Sequence, residues 1–529
     1  MAEDNLHQME RSSDLLKKPD IQDDETKTEA ANLKSQPSST QDAQPNHLSG
    51  LRLYILLACL YQGVFSVGAI TTEFGTVRDV GWYTSSYLSA TSSVQCLYGV
   101  IYRNFDTKWV YMQVLFIFEV GNLMAALSPT SSVLTLGRAI SGIGDAGMAT
   151  GTYVVMAQTM PLHERATYFG LLGAVWGVTS VMGPMLGGVF AEHATWRWCF
   201  WINLPIGGIT FFVLGIFFIG LEKHSVDDKN PNFILRILEL DLTGAAALVP
   251  GVIMLLLAIQ WDGTELPWNF CGSGVRLLAF GTTQYYAQDR GLLPPRFFKD
   301  LNIFCALMYS FFFGATYFPI IPYISLFFQA IQSASAVQAG LRLLPLSIST
   351  VLSSTLSGIL ISALRNYNAV IISESALICV GAGLITTYSP NTPMSHWFGF
   401  EVTMGLGIGV GFQAGLVVVQ NVLSLTFISQ ATSNVQFFNT LGGAIGVAAA
   451  QTLFQNGITE ILARTAPQVP AAAIINTGVS QLKHTLIGLG FSPILVDATV
   501  DAYMSGLRHA YFWSTAMAAC LFLTGLGIP

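Results

Sequence analysis

Long apolar segments alternate with short polar segments along most of this chain. A helix needs about twenty mostly apolar residues to cross the roughly 30 Å of hydrocarbon in a bilayer. Segments of this length recur from residue 51 onward, and the pattern predicts fourteen membrane-spanning helices. We number them spans 1 to 14, near residues 51–71, 83–102, 109–128, 133–158, 166–191, 198–220, 242–260, 271–287, 303–328, 343–364, 369–388, 397–423, 435–456 and 510–528.

Two long segments lack this apolar character. Residues 1–50 are rich in Ser, Gln, Asp and Lys and contain almost no aromatic residues. Such a segment buries too little apolar area to offset the entropy of ordering, so we predict a disordered cytoplasmic tail. It also lacks the apolar core of a signal peptide. The mostly polar residues 457–509 are predicted to form a long loop between the last two spans.

The basic residues are distributed unevenly between alternate loops. With the N-terminus in the cytoplasm, the short outer loops hold Arg78 and Arg197, with Arg342 at a border. The short inner loops hold ten basic residues. Because basic residues accumulate in cytoplasmic loops, both chain ends are predicted to be cytoplasmic and the loop 457–509 extracellular. The ten inner residues are Arg103, Lys108, Arg165, Lys223, Lys229, Arg236, Arg290, Arg296, Lys299 and Arg365.

Composition agrees with a membrane protein and argues against other classes. Of the 529 residues 52% are hydrophobic and 10% are charged, with a mean hydropathy of +0.53. Soluble domains contain about 25% charged residues. No basic patch supports nucleic-acid binding.

A polytopic membrane enzyme is the rival class. The histidines lie in predicted loops, at span edges or in the N-terminal tail, so the sequence places no cluster of metal ligands on facing elements. It also contains no GxSxG motif and no phosphate-binding loop. We therefore predict neither a metal nor a cofactor, and no enzymatic activity.

Span 5 carries a stripe of small residues. At helical spacing, Gly170, Gly173 and Gly177 share one face with the glycines that follow. In a bilayer such a stripe allows a neighbouring helix to approach closely, and Pro184 predicts a bend. The residues of span 5 that we assign to a packing motif are Gly177, Gly183, Pro184, Gly187 and Gly188.

These residues form part of a recognisable motif. GVTSVMGPMLGG at 177–188 resembles the antiporter motif of the major facilitator superfamily. WRWCFWINLPIGG at 196–208 resembles the junction of spans 5 and 6 in its fourteen-span drug:proton antiporter branch, in the form common among fungal exporters of toxins and secondary metabolites. DVGWYTSSYL (79–88), LTLGRAISGIG (134–144) and QFFNTLGGAIGVAAAQTLF (436–454) match in the expected order.

The resemblance implies the fold of the superfamily, an all-α polytopic membrane protein with about fourteen transmembrane helices. It implies a first six-helix half at 51–220, a cytoplasmic loop at 221–241, an inserted helix pair at 242–300 and a second six-helix half at 301–529. The second inserted helix is weak, because 271–287 is short, polar and contains Arg276.

The resemblance also implies a function. It predicts a monomeric secondary active transporter that exports small organic compounds (toxins, drugs or secondary metabolites) in exchange for protons, by alternating access between its halves. The plasma membrane is the predicted location, with the vacuolar membrane as the alternative. A degenerate facilitator that binds or senses a compound without moving it remains open.

Three ionisable residues within spans are candidates for proton coupling. An ionisable residue inside the membrane is costly and therefore indicates function. Arg138 matches the family's span-4 arginine, which the resemblance implicates in proton transfer, and Asp145 follows on the same helix face. Glu119 on span 3 is predicted to lie at a depth between them, so we expect one cluster. The alternative is a buried salt bridge that only joins helices. Glu374 and Glu401 lie nearer span ends and are interpreted as interfacial.

Three residues are predicted to contact the substrate, in a cavity that we expect to be mostly apolar. Trp176, Gln413 and Asn439 are candidates. Because amides in hydrocarbon need hydrogen-bond partners, Gln413 and Asn439 have an alternative interpretation as contacts between helices.

The loop between spans 2 and 3 resembles the family's inner-loop motif, with Gly99, Arg103, Asp106 and Lys108. Relatives normally carry an aspartate where this chain has Arg103, although those from fungi often lack it. They also carry an aspartate in span 1, where this chain has Gln62. A proton pathway in this chain is therefore predicted to run through span 4.

Overall fold

The computed structural model describes residues 80–217, 240–261, 272–288, 291–364, 366–467 and 493–528. The predicted tail 1–50, span 1 with Gln62, and most of the predicted loop 221–241 lie outside these residues. The described part consists of helices and short connections, without strands.

The helices follow one another along the chain in this order: α1 Val80–Asn104, α2 Thr107–Ala126, α3 Ser131–Thr159, α4 Leu162–His193, α5 Trp198–Trp201, α6 Asn203–Phe217, α7 Leu242–Trp261, α8 Gly272–Ala287, α9 Arg296–Lys299, α10 Leu301–Leu326 (continued by a π-helical turn, Phe327–Ile331), α11 Ala336–Arg342, α12 Leu344–Leu364, α13 Tyr367–Ile385, α14 Met394–Val422, α15 Leu425–Thr465 and α16 Pro493–Leu526.

A helix lies at each predicted span from the second onward, and the sixth span contains the two helices α5 and α6. Seven segments of the described residues are long and apolar enough to cross a membrane by length and composition. They are Thr107–Ala126, Trp198–Ile216, Leu301–Ile331, Leu344–Leu364, Tyr367–Ile385, Met394–Val422 and Phe427–Thr465. Other long helices carry polar side chains that are buried against neighbouring helices, such as Thr91 and Gln95 of α1 and Thr150 of α3. Their lower apolar content therefore reflects contacts inside the protein.

Side-chain caps set several helix boundaries. Asp106 accepts a hydrogen bond from the Lys108 N–H (2.8 Å) at the start of α2. Asp300 does the same for Asn302 (2.9 Å) at the start of α10. A helix leaves its first N–H groups without partners, and such caps satisfy them. The short polar connections between spans therefore end one helix and begin the next.

The helices form two groups. We call α1–α6 the first half and α10–α16 the second half. Within the first half α3 packs on α1 and α2, and within the second half α15 packs on α10 and α16. Small residues permit these close crossings. A Cβ on Gly144 would overlap Phe118 of α2, and one on Gly446 would lie 2.8 Å from Ala315 of α10.

The halves meet mainly along two helix pairs. Helix α1 packs against α15, and α4 packs against α12. The inserted helices α7 and α8 pack on each other, and α7 also contacts α1 and α15. Helix α8 has 16 residues, about 24 Å at 1.5 Å per residue. It is therefore shorter than a typical span, as its weak apolar pattern predicts.

The predicted loop 457–509 differs from the structure at both of its ends. Helix α15 continues to Thr465 and α16 begins at Pro493, and residues 468–492 lie outside the described part. Ile458 and Leu462 are buried in the same apolar cluster as Val496 and Val500. Each extension is apolar on one face only, so its average composition is polar even though it forms a packed helix.

Candidate functional site: a cavity between the halves

A cavity opens between the two halves. It contains about 770 Å³ of empty space, including space open to the surroundings. The wall combines polar groups with apolar and aromatic side chains, as binding sites for small organic molecules commonly do. The lining residues are Thr91, Gln95, Asp145, Ala149, Thr152, Tyr153 and Leu172 from the first half, and Ser310, Phe318, Phe412, Val435, Gln436, Asn439 and Thr440 from the second half.

Asp145 is the acidic residue among the described lining residues. It lies on α3, and the side chains of Tyr87 and Arg138 are close enough to interact with its carboxylate. A carboxylate in such a site either attracts a proton or a cationic or hydrogen-bonding ligand. Asp145 can therefore bind a proton and can also contact a molecule that occupies the cavity.

Arg138 lies behind the cavity wall. It is 4% exposed, and its Nε donates a hydrogen bond to the Tyr83 carbonyl of α1 at 3.0 Å. Its guanidinium carbon lies 4.3 Å from the centre of the Tyr87 ring. Arg138 and Asp145 are seven residues apart on α3, about 10 Å along the axis. Tyr87 contacts both residues, so Arg138 influences the charge of Asp145 indirectly, through Tyr87.

Glu119 lies elsewhere. A Cβ placed on Gly207 of α6 would overlap the Glu119 carboxylate. Both carboxylate oxygens are buried without a hydrogen-bond partner among the described residues. Its neighbour Phe118 contacts Gly144 of α3, and consecutive helical residues point about 100° apart. The structure therefore places Arg138 and Asp145 near Tyr87 and places Glu119 against α6, so the expected cluster of the three residues does not form.

Sequence reasoning missed the amide of Gln95. Its Nε2 donates to Thr150 Oγ1 at 2.7 Å and to the Ala146 carbonyl at 3.1 Å, both on α3. These bonds hold the Gln95 amide at the cavity wall, one helical turn from Thr91. An amide in the middle of an apolar span was the available signal.

The two candidate amides of the second half have different positions. Asn439 lines the cavity, and its Nδ2 donates to the Ser310 carbonyl at 3.4 Å. Gln413 is buried between α12 and α14, where its Nε2 donates to Ser354 Oγ (3.3 Å) and to the Gly409 carbonyl (3.4 Å). The structure therefore favours the contact between helices as the role of Gln413. The side chain of Trp176 lies outside the described part.

These positions predict different effects of two matched substitutions. Asn439→Leu should change the relative affinities across a panel of transported compounds, because it replaces a polar group of the wall. Gln413→Leu should leave this preference unchanged and lower thermal stability, since loss of a buried hydrogen-bonding group costs about 1–3 kcal/mol. Binding titrations and melting curves of both variants separate the two roles. A preference altered only by Gln413→Leu would contradict the assignment.

Glu374 and Glu401 are not interfacial, which corrects the interpretation from the sequence. Their side chains are buried, with relative exposures of 9% and 0%. Helix α14 packs closely on both α12 and α13, so neighbouring helices cover both carboxyl groups. Their positions along the sequence could not reveal this cover.

We call the contact between α4 and α12 the seam, and its described part includes Thr167, Gly170, Ser354, Gly358 and Ser362. Ser354 Oγ donates to the Gly170 carbonyl at 2.8 Å, and the hydroxyls of Thr167 and Ser362 are 2.9 Å apart. A Cβ on Gly170 would lie 2.5 Å from the Ser354 carbonyl oxygen. The seam therefore depends on small residues on both helices.

The antiporter-motif residues continue along the same helix. The backbone is helical from Leu162 to His193, and Gly183 is buried. The surroundings of Gly177, Pro184, Gly187 and Gly188 lie outside the described residues. Their predicted close packing stays a prediction.

The inner-loop motif joins the halves at one end of the bundle. Arg103 donates to Gln430 Oε1 at 3.2 Å and its guanidinium lies 4.9 Å from the centre of the Phe427 ring. A Cβ on Gly99 would overlap Ser433. We call this end, where the seam also lies, the Arg103 end. Within the described residues, contacts between α1 and α15 and between α4 and α12 close the Arg103 end.

The two other residues of the motif have local roles. Asp106 caps α2, and Lys108 Nζ donates to the Gly215 carbonyl of α6 at 3.0 Å.

Removing Arg103 should open this end more often. Loss of its hydrogen bond and ring contact weakens the closed state by about 1–2 kcal/mol, which corresponds to roughly five- to thirtyfold in population. The rate at which a water-soluble maleimide labels a Ser433→Cys reporter, in a chain without its other cysteines, should rise by a similar factor in Arg103→Ala. Lys299→Ala, which removes an exposed basic side chain, is the control. Equal labelling rates would contradict the role of Arg103.

Two helical halves around a partly polar cavity, with several helices of membrane length, define a multi-pass membrane transporter. The chain belongs to the major facilitator superfamily, whose sequence model matches residues 53–447. This confirms the family predicted from the motifs.

Similar proteins support the same assignment. The chain is 36% identical over 496 residues to the aspyridones efflux protein of Neocamarosporium betae, a match that covers 90% of this chain and 87% of that protein. It is 36% identical over 499 residues to the efflux pump aflT of Aspergillus parasiticus, covering 91% and 96%. The solved structure of the proton:xylose symporter XylE has a TM-score of 0.58 at 12% identity and covers 91% of this chain and 95% of that chain, so it shares the fold.

Proposed function

We propose that this protein exports small, mostly apolar organic compounds in exchange for protons, by alternating access between its two halves. The observation that carries the proposal is the cavity, which both halves line and which holds Asp145 beside aromatic and amide side chains. The protein acts as a monomer with fourteen transmembrane helices, and its membrane is the plasma membrane.

The relatives support the direction of transport and the class of compound. Two similar fungal proteins are called an efflux protein for aspyridones and an efflux pump. The wall of this chain's cavity suits such cargo. Phe412 lines the cavity and makes edge contacts with Phe313 and Tyr317, with ring centres 4.9 and 4.8 Å apart.

Alternating access requires contacts that close one end and then separate. At the Arg103 end the halves are joined by single hydrogen bonds and by small residues, such as Ser354 with Gly170 and Thr167 with Ser362. Such contacts exchange for water at little cost. With the orientation predicted from the basic residues, this end faces the cytoplasm, and the contacts at this end support a state closed to the cytoplasm in the proposed cycle.

Proton coupling supplies the energy. One proton that crosses about 100 mV yields about 2.3 kcal/mol, and one pH unit adds about 1.4 kcal/mol. Together they support a substrate gradient of a few hundredfold. Asp145 is the proposed proton carrier, and Arg138 and Tyr87 adjust its charge as the proton binds and leaves.

The test is transport in sealed vesicles that contain the purified protein. An imposed pH gradient should drive accumulation of apolar compounds, and a protonophore should abolish it. Accumulation that persists with the protonophore would overturn proton coupling. A chain that binds compounds without accumulating them would instead be a binder or sensor.

A further inference from the structure

The second half contains two buried carboxyl groups that the proposed function does not use. They are Glu374 on α13 and Glu401 on α14. A carboxylate buried in a membrane protein needs strong partners or a proton. The surroundings of the two groups differ, and this difference separates their roles.

Glu401 lies beside the start of α12, away from the contacts between the halves. Its carboxyl lies beside the backbone N–H of Leu346, in the first turn of α12. The first N–H groups of a helix have no partners within the helix and carry partial positive charge. Both oxygens of the Glu401 carboxyl are buried without a hydrogen-bond partner among the described residues, and Leu346 lies eight residues, about 12 Å along α12, from Ser354 of the seam.

Glu374 lies where three helices meet. Its Oε2 accepts a hydrogen bond from the Val410 N–H of α14 at 2.7 Å. The hydroxyl of Ser353, on α12, also contacts the Glu374 carboxyl. The same hydroxyl donates to the Leu406 carbonyl of α14. Leu406 and Val410 are four residues apart, so Glu374 and Ser353 contact the two ends of one helical turn of α14.

This junction is adjacent to the seam. Ser354 follows Ser353 on α12, and its Oγ donates to the Gly170 carbonyl of the first half at 2.8 Å. Gln413 donates to the same Ser354 hydroxyl at 3.3 Å. Two adjacent residues of α12 therefore form the Glu374 junction and a hydrogen bond between the halves.

The groups around Glu374 do not compensate a negative charge. From α10 the titratable neighbour is Tyr309, whose hydroxyl is buried without a partner among the described residues. From α16, Gly525 approaches Ser375 and Tyr309. From α12 and α14 the neighbours are the Ser353 hydroxyl and the Val410 N–H. No basic side chain of the described helices pairs with Glu374.

The two protonation states make different hydrogen bonds. When Glu374 is protonated, its carbonyl oxygen accepts from Val410, its hydroxyl donates to Ser353, and Ser353 donates to Leu406, so every group is satisfied. When the proton passes to water and leaves a carboxylate, Ser353 must donate to that carboxylate. The Leu406 carbonyl then loses its bond to α12, and a charge remains buried.

We propose that Glu374 is a second proton-binding residue, which holds the seam closed when it is protonated and loosens the seam when it releases its proton. The inference rests on the proposed proton exchange for its place in the transport cycle. With the Arg103 end facing the cytoplasm, the form of Glu374 without its proton favours the state that is open to the cytoplasm and can take up the next substrate. The effect on the seam itself is measurable without transport.

The experiment measures the seam directly by electron paramagnetic resonance. Spin labels replace Leu171 on α4 and Leu356 on α12, which flank the seam and are 50% and 58% exposed. The labels are attached at one pH to the reconstituted full chain without its native cysteines, and spectra are then recorded between about pH 5 and about pH 9. The dipolar broadening between the labels should fall reversibly as the pH rises, with the ratio of closed to open seam changing by up to about tenfold per pH unit.

Three variants test the assignment. In Glu374→Gln the broadening should stay high at every pH, because the amide donates to Ser353 as the protonated acid does. In Ser353→Ala the pH response should be lost because the link to α12 is removed. Glu401→Gln, a matched buried carboxyl, should respond as the parent chain does. A pH response that survives in Glu374→Gln, or that Glu401→Gln also abolishes, would overturn the proposal.

Transport measured on the same vesicles separates this inference from the proposed function. A seam that responds to pH through Glu374 in a protein without proton-driven transport overturns only the proposed function. Proton-driven transport with a seam that does not respond to pH overturns only the role of Glu374.

Discussion

Asp145→Asn is expected to abolish the accumulation of substrate driven by a pH gradient. The proposed gradient of a few hundredfold should fall to about unity, because an asparagine binds no proton in this range and the two fluxes are no longer linked. The substitution keeps the shape and the hydrogen-bonding capacity of the side chain at the cavity wall. Substrate affinity, measured by equilibrium binding, should therefore change by less than about tenfold.

Glu119→Gln is the matched control for this experiment. It also removes a carboxyl group from a span of the first half, but Glu119 faces Gly207 of α6 and does not line the cavity. Its accumulation ratio should equal that of the parent chain. Full accumulation by Asp145→Asn, or loss of accumulation in Glu119→Gln alone, would place the proton site away from the cavity.

Gly170→Leu is expected to stop transport while the protein still inserts and folds. A Cβ at this position would already lie 2.5 Å from the Ser354 carbonyl oxygen, and the remaining leucine atoms require still more space. Overpacking of this kind costs about 1–3 kcal/mol. This free-energy cost destabilises only the state in which the seam is closed. The population of that state should therefore fall by about five- to 150-fold, and the transport rate should fall with it.

The control for this variant is Gly208→Leu. Among the described residues, a Cβ on Gly208, which lies on α6, would meet no atom of a neighbouring helix within 4 Å, so a leucine there meets open space. Both variants should run as monodisperse species in detergent, and only Gly170→Leu should lose transport. Normal transport by Gly170→Leu would show that the seam need not close tightly.

The positions of the helices were predicted from the sequence, because a helix that crosses a bilayer must be apolar over a minimum length. About twenty apolar residues are required to cross it, and helices occur at the predicted spans from the second onward within the described residues. The motifs were equally informative about family. The extensions of α15 and α16 were missed, because one apolar stripe on an otherwise polar helix does not raise the average hydropathy.

The site was predicted less completely. Counting residues places a side chain at a depth in the membrane, and Glu119, Arg138 and Asp145 were expected to meet on that basis. The structure separates Glu119, since the rotation of α2 directs Phe118 towards α3. The same limit applies to Gln413 and Asn439, two amides in neighbouring spans. One lies between helices and the other at the cavity wall.

By itself, the sequence determined which segments are apolar enough to enter a membrane, which family they belong to and which ionisable residues lie within them. Only the tertiary structure decided which side chains meet. The rise of a helix is constant at about 1.5 Å per residue, so depth can be read from residue number. The rotation and neighbours of a helix are set by close packing with residues far away in the chain. Glu374 shows the difference, because its partners Val410 and Ser353 lie on two other helices.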